Sequence, residues 1–489
     1  MDENPTDFTG VILPVVASTE RNEENQLIKA AADGKVDILK ALIDSKVSVE
    51  AKDKTGRTPL IWASLNGRTQ AVQLLIDSGA NINSIDKDSK TPLLCAAMNG
   101  HFGATQALIL AKADINAKNH YNRTPLMFAA LKNHISIVKL LLDTKASPNV
   151  TDNDSRHALI IAAAHGHADA TEMLINAKAA LEPTDKDDRS ALMAAAFGNH
   201  TDVMRLLIDS KATIEKNGRY DWTPLIWAST KGSTDAVTML LEAKANVDAR
   251  TSDGMSALMW AALRGNAQVA RILVDAKASL ELKNNDTRPA LMWACVNSRA
   301  ETVKVLLDAK AAVNVRERGG RTPLSMSISL LDAESFKALV NAKADLEAAN
   351  SMHGTPLSMA VQCCFKEAIE ILLDAKVALD VRDADQLTPL MAATSTGHPD
   401  IVKMLVEAKS DIEARDLNEC TSLFHAIAHA QPITVQLLLE MNAKLDVVNH
   451  DGSTPLMLAA ELGESGAVRM LLDAHLRTLS NDSNDEGSC

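Results

Sequence analysis

The chain is predicted to be an all-α solenoid of about 14 stacked 33-residue units, each a helix–turn–helix followed by a hairpin finger. Three observations lead to that class. Thr-Pro-Leu stands at Thr58, Thr91, Thr124, Thr223, Thr322, Thr355, Thr388 and Thr454, always in one frame. The missing beats hold degenerate copies, namely His157-Ala158-Leu159, Ser190-Ala191-Leu192, Ser256-Ala257-Leu258, Pro289-Ala290-Leu291 and Thr421-Ser422-Leu423. From Asn25-Gln26-Leu27 to Thr454 there are thirteen intervals of 33 residues with no insertion or deletion. A fixed period of this length marks a stacked array.

The second repeat shows why each element forms. Thr58 is a good N-cap, its hydroxyl free to accept from an orphan backbone N–H. Pro59 follows at the first helical position, where its missing N–H and fixed φ suit the helix. Leu60, Ala63 and Ser64 give an apolar or small face, and Gly67 ends the helix. Thr69 to Ser78 carries Val72, Leu75 and Ile76 as a second amphipathic helix, closed by Gly79. Asn81-Ile82-Asn83 then leads to the polar turn Asp86-Lys87-Asp88-Ser89. Neither helix reaches the ~12–15 residues at which isolated helices become marginal. Stability must come from burying one repeat's apolar face on the next. Alanine runs such as Ala129-Ala130 and Ala194-Ala195-Ala196 permit close helix approach, and only 3% of the chain is aromatic, so the expected core is thin and regular.

These residues resemble the ankyrin repeat, with its Asp-x-x-Gly turn, Thr-Pro-Leu, paired small residues and Val-x-x-Leu-Leu. Asp451-Gly452-Ser453-Thr454-Pro455-Leu456 through Leu471-Leu472 shows most of the pattern. The resemblance covers residues 20–481 and implies a protein-binding solenoid. Two departures stand out. The histidine that usually follows Thr-Pro-Leu is replaced by Ile61, Leu94, Met127, Ile160, Met193, Ile226, Met259, Met292, Met391 and Met457. Apolar packing is expected there instead of His-to-Thr bonding. At the glycine that closes the second helix, eleven of fourteen repeats carry lysine, from Lys46 to Lys409. A left-handed lysine costs roughly 1–2 kcal/mol, against about 0.3–1 kcal/mol returned by a cation at a helix C-terminus. The turn is therefore expected to be either reshaped or weakened.

Composition bounds the rest. The net charge is −13, but residues 1–24 hold six acids against Arg21, so the array itself is close to neutral for its size. That balance offers no phosphate-backbone footprint, and nucleic acid is not an expected partner. Six cysteines are scattered at 95, 295, 363, 364, 420 and 489, and the short Val11–Ala17 apolar run is broken by Pro14 and fits no secretory signal. Free thiols, no membrane insertion and a cytoplasmic location, with the nucleus as the alternative compartment, are expected. Residues 1–19 are expected to form a disordered acidic segment, 20–481 the array, and 482–489 a polar tail.

No nucleophile elbow, phosphate loop or dinucleotide fingerprint appears, so no catalytic residue, cofactor or metal is assigned. His101, His134, His167 and His200 share one slot in successive repeats. Zinc needs donor atoms within ~3–4 Å of one another, whereas stacked helices lie about 10 Å apart. Turn stabilisation is their expected role. His425 and His429 have a chelating spacing without a third ligand, and Cys363-Cys364 occupy a degenerate turn.

The aromatics point to a partner. Tyr121 and Tyr220 lie three periods apart at finger tips, where no core demands them. Trp227, Trp260 and Trp293 share one slot on three consecutive first helices, and Trp222 sits in the finger Arg219-Tyr220-Asp221-Trp222. Packing between first helices competes with docking as an explanation. Trp, Tyr and Arg are the residues enriched in interface hot spots. Tyr121, Tyr220, Trp222, Trp227, Trp260 and Trp293 are the expected anchors, with Arg219, Arg288 and Arg321 setting orientation. The expected function is a monomeric, non-catalytic scaffold that binds a protein on its concave helix and finger surface. The alternative is a regulatory adaptor or inhibitory subunit, such as the recruiting arm of a ubiquitin ligase. Repeats 10, 11 and 13 are irregular, with Leu331, Cys364 and Ala430 in place of a turn glycine, and are expected to be locally soft, with adaptation to a partner as the alternative.

Overall fold

The computed structural model describes residues 12–350 and 354–485. Much of the expected N-terminal segment (1–11 of 1–19) and the last four residues of the expected tail lie outside that range; the first helix begins at Ile12 and the last ends at Asp485. Among the described residues all regular structure is helical, apart from isolated bridge residues such as Asn350 and Gly354. The chain divides into two compact halves, Met1–Ser252 and Asp253–Cys489.

The N-terminal half contains seven helix pairs, from Ile12–Asp33 with Val36–Asp44 to Pro224–Lys231 with Thr234–Glu242. The C-terminal half likewise has seven, from Ala257–Arg264 with Ala267–Asp275 to Pro455–Glu461 with Ser465–Asp485. Inside each half, first helices pack on neighbouring first helices and second helices on second helices. The leucine of Thr-Pro-Leu is the recurrent buried element: Leu60, Leu93, Leu126 and Leu225 are at most 1% exposed, and only in the final repeat is it half-buried, at Leu456. Removing such a side chain from water is worth about 1.5–3 kcal/mol, and no repeat buries its own leucine alone.

The capping expected from sequence is in place. Thr58, Thr91, Thr124 and Thr223 each accept the N–H of the residue three positions on, at 3.3 Å. That third position holds the apolar substitutes for histidine, and Ile61, Met127, Ile226 and Met391 are sealed in the core; Met457, in the final repeat, is 59% exposed. At His157 the cap is lost. Its ring is 1% exposed, both nitrogens lack a hydrogen-bond partner, and burial pushes its pKa down to about 4.

The lysine turns are not reshaped. All eleven keep the left-handed conformation, with φ between 58° and 75°. The turn between the two helices is equally uniform: Gly67, Asn133, Ser298, Leu331, Cys364 and Ala430 all have positive φ, whatever their side chain. A ladder crosses successive repeats beyond each lysine turn. Glu50 accepts the Asn81 N–H at 2.7 Å, Asn83 that of Asp114 at 3.0 Å, and Glu215 that of Asn246 at 2.7 Å. These 31-residue links fix the spacing of repeats and explain why the frame never slips.

Candidate partner-binding site

Most fingers are built on an Asx turn. Asp53 accepts the N–H groups of Thr55 and Arg57, and Asp86, Asn119, Asp152 and Asp185 repeat the arrangement. In the second repeat the same carboxylate also accepts the Trp62 indole N–H at 2.9 Å, while Arg57 lies over that ring at 5.0 Å. Hydrogen bonds from Thr55, Arg57 and Trp62 hold the Asp53 carboxyl below the usual carboxylate range, although burial opposes them.

The seventh repeat departs from this plan, as do the fingers with Thr251 and Glu317 in the Asx place, and three of the expected anchors, Tyr220, Trp222 and Trp227, lie at this departure. Glycine replaces the Asx residue at Gly218, where an added Cβ would meet the Asp188 carbonyl at 2.8 Å and Met193 Sδ at 3.1 Å. The finger instead closes as a short 3-10 turn, Arg219–Asp221, with Tyr220 (φ 58°) and Asp221 (φ 61°) both left-handed. Tyr220 is 63% exposed, and the Arg219 guanidinium lies 5.1 Å from its ring centre. With no carboxylate at position 218, the Trp227 indole N–H has no acceptor among the described residues.

Three aromatic rings meet behind that finger. Trp222 lies 4.4 Å from Trp227, and Phe197, from the preceding repeat, meets Trp227 edge-on at 5.2 Å. Lys231 covers Phe197 at 4.2 Å. Trp222, Trp227 and Phe197 are all half-buried. Phe197 and Lys231 escaped the sequence reading because neither falls in the tryptophan slot; Phe197 is near the end of its helix, one repeat away. Elsewhere in this half, Tyr121 is also 63% exposed, with Arg123 at 6.0 Å from its ring.

The C-terminal half holds the other expected residues. Trp260 and Trp293 stand half-buried on the first helices Ala257–Arg264 and Ala290–Val296. Arg288 lies 5.2 Å from the Trp293 ring centre and, like Arg321, is paired with the buried Glu317 carboxylate. Arg57 and Arg123 reach buried Asp86 and Asp152 in the same manner, at 3.3 Å. Arg57, Arg123 and Arg288 thus tie one finger to the next, while Arg156, Arg189 and Arg321 pair within their own finger, which a count of basic residues in the sequence does not reveal.

Histidines in the turn slot act as braces. His101 Nε2 is 2.9 Å from the Leu65 carbonyl oxygen, and His134, His167 and His200 make the same contact one repeat back. Among the described residues no group of three or more His, Cys, Asp or Glu side chains is placed to hold a metal ion. His425 bonds Asp416 at 3.0 Å in the arrangement that Trp62 makes with Asp53, so it too braces a finger. Burial lowers its pKa, against the opposing pull of Asp416. Cys95, buried near Asp86, has its thiol pushed up to about 12. No helix among the described residues is long and apolar enough to cross a membrane.

Models of ankyrin repeats, three copies each, match residues 11–86, 71–152, 93–187, 134–219, 159–251, 209–284, 244–317, 330–416 and 409–484. No curated protein matches the chain. Nine overlapping matches on paired helices with Thr-Pro caps and Asx fingers place this chain in the ankyrin-repeat family, whose repeats are in general protein–protein interaction modules.

Proposed function

We propose that the protein is a non-catalytic scaffold that binds a partner protein through first-helix and finger side chains, and that the seventh repeat supplies the leading contacts. The observation that carries this reading is the Gly218 finger. A tyrosine held 63% exposed in a left-handed turn, backed by Arg219 and flanked by Trp222, does nothing for the core. Tyrosine and tryptophan offer large contact area with few torsions to freeze, and with arginine they dominate interface hot spots. Tyr121, in the same slot three repeats earlier, extends the surface along this half. Trp260, Trp293, Arg288 and Arg321 are proposed as contacts of the C-terminal half. A cytoplasmic setting and a monomer fit the reading.

The test is to purify the partner that accompanies the protein and titrate it against wild type and against Tyr220→Ala, Trp222→Ala. Hot-spot truncations of at least ~2 kcal/mol correspond to a loss of affinity of roughly thirtyfold. Unchanged affinity in a variant whose circular dichroism and melting match wild type removes this surface from the reading.

A further inference from the structure

The turn between the two helices of a repeat lies against the following repeat. A Cβ added at Gly67 would meet His101 Nδ1 at 2.4 Å, at Gly100 it would meet His134 at 2.8 Å, and at Gly166 it would meet His200 at 2.5 Å. In each case the histidine lies 34 residues ahead. Repeat 11 fills the glycine place with Cys364, still left-handed at φ 55°, and keeps histidine 34 residues on, at His398. The side chains therefore meet: Cys364 Sγ is 2.7 Å from His398 Nε2. Neither is sealed off, since both are half-exposed, and the Lys366–Asp400 ion pair at 2.6 Å spans the same junction.

We propose that Cys364 and His398 form a modification site that undergoes thiol–disulfide exchange with small disulfides. His398 Nε2 takes the thiol proton as Cys364 Sγ attacks one sulfur of the disulfide. The new S–S bond forms, the old one breaks, and the departing thiolate takes the proton from His398. The disulfide is the oxidant, and one free thiol is released for each Cys364 modified.

The other described cysteines lack this arrangement. Cys95 and Cys295 are buried. The Cys420 thiol is pushed up to about 11 by burial and by Asp416 and Asp451, and its sulfur faces the Asn418 carbonyl at 3.7 Å. Partial burial also raises the Cys364 thiol, with Lys366 pulling the other way, so the resting group is a neutral thiol that gains from an adjacent base. Cys363 is raised by burial and by its neighbour Cys364.

The experiment treats the reduced full-length protein with oxidised glutathione at pH 7 and follows each cysteine by peptide mass spectrometry. Cys364 should form its mixed disulfide at least tenfold faster than Cys363 or Cys420. In folded His398→Gln its rate should fall to that of Cys420, whose own rate stays the same; Cys363→Ser should leave the Cys364 rate as it was. The idea is overturned if wild-type Cys364 reacts no faster than Cys420, a comparison that needs no variant. It is equally overturned if folded His398→Gln reacts at the wild-type rate or faster.

Discussion

Single residues set the local character of otherwise identical repeats. His157 stands where threonine caps the helix elsewhere, and its dry, unpartnered ring is held neutral. Its folded pKa, about 4, lies below the 6.5 usual for histidine, so the unfolded chain takes up the proton first. The stability of that repeat should therefore fall as pH drops through 6.5 and level off below about 4. His157→Thr should remove this acid sensitivity and add about 0.5–2 kcal/mol by restoring the cap. Hydrogen exchange of the helices Ala158–Ala164 and Ala168–Asn176 at pH 7 and pH 5 measures both effects; equal loss of protection in wild type and variant would contradict them. The position of His157 is plain in the sequence. Its dryness is not, because the packing that closes over it comes from neighbouring repeats.

At the scale of elements, helices and turns were legible because their chemistry is local. Thr58-Pro59 starts a helix and the left-handed Gly67 turn follows it, and Thr-Pro starts a helix in the other repeats that carry it. Side-chain partners 29 to 36 residues away were not. The pairing of Arg57 with Asp86, the glutamate and asparagine ladder, and the meeting of Phe197 with Trp227 exist only once repeats stack. The softness expected of repeats 10, 11 and 13 belongs here as well. Leu331 (φ 55°) and Ala430 (φ 50°) hold a conformation that disfavours a Cβ by roughly 1–2 kcal/mol. In repeat 10 the Ser325, Ser327 and Ser329 hydroxyls donate to carbonyls of their own helix at 2.8–3.0 Å, a habit that weakens helices. Amides of these three repeats should exchange earlier than their neighbours in native-state hydrogen exchange. Uniform protection within the C-terminal half would refute that.

The whole molecule is a sum of small, similar terms. In each half, stability is approximately the intrinsic term of each repeat plus the interface with the next, so no single contact governs the fold. For the same reason the period announced the architecture, whereas the proposed partner surface rests on departures from it. The Trp222–Trp227 pair and the Tyr220 finger stand out because Gly218 lacks the side chain that caps the fingers of repeats 2 to 6.

The left-handed lysines have a consequence for digestion. Each of the eleven is exposed and occupies the same turn, one repeat from the next except across Gly79, between Lys46 and Lys112. A protease that cuts after lysine meets a regularly graduated set of bonds, each protected only as far as its own turn resists local opening. Brief trypsin treatment should therefore yield nested products whose lengths differ by multiples of 33 residues, countable directly by mass.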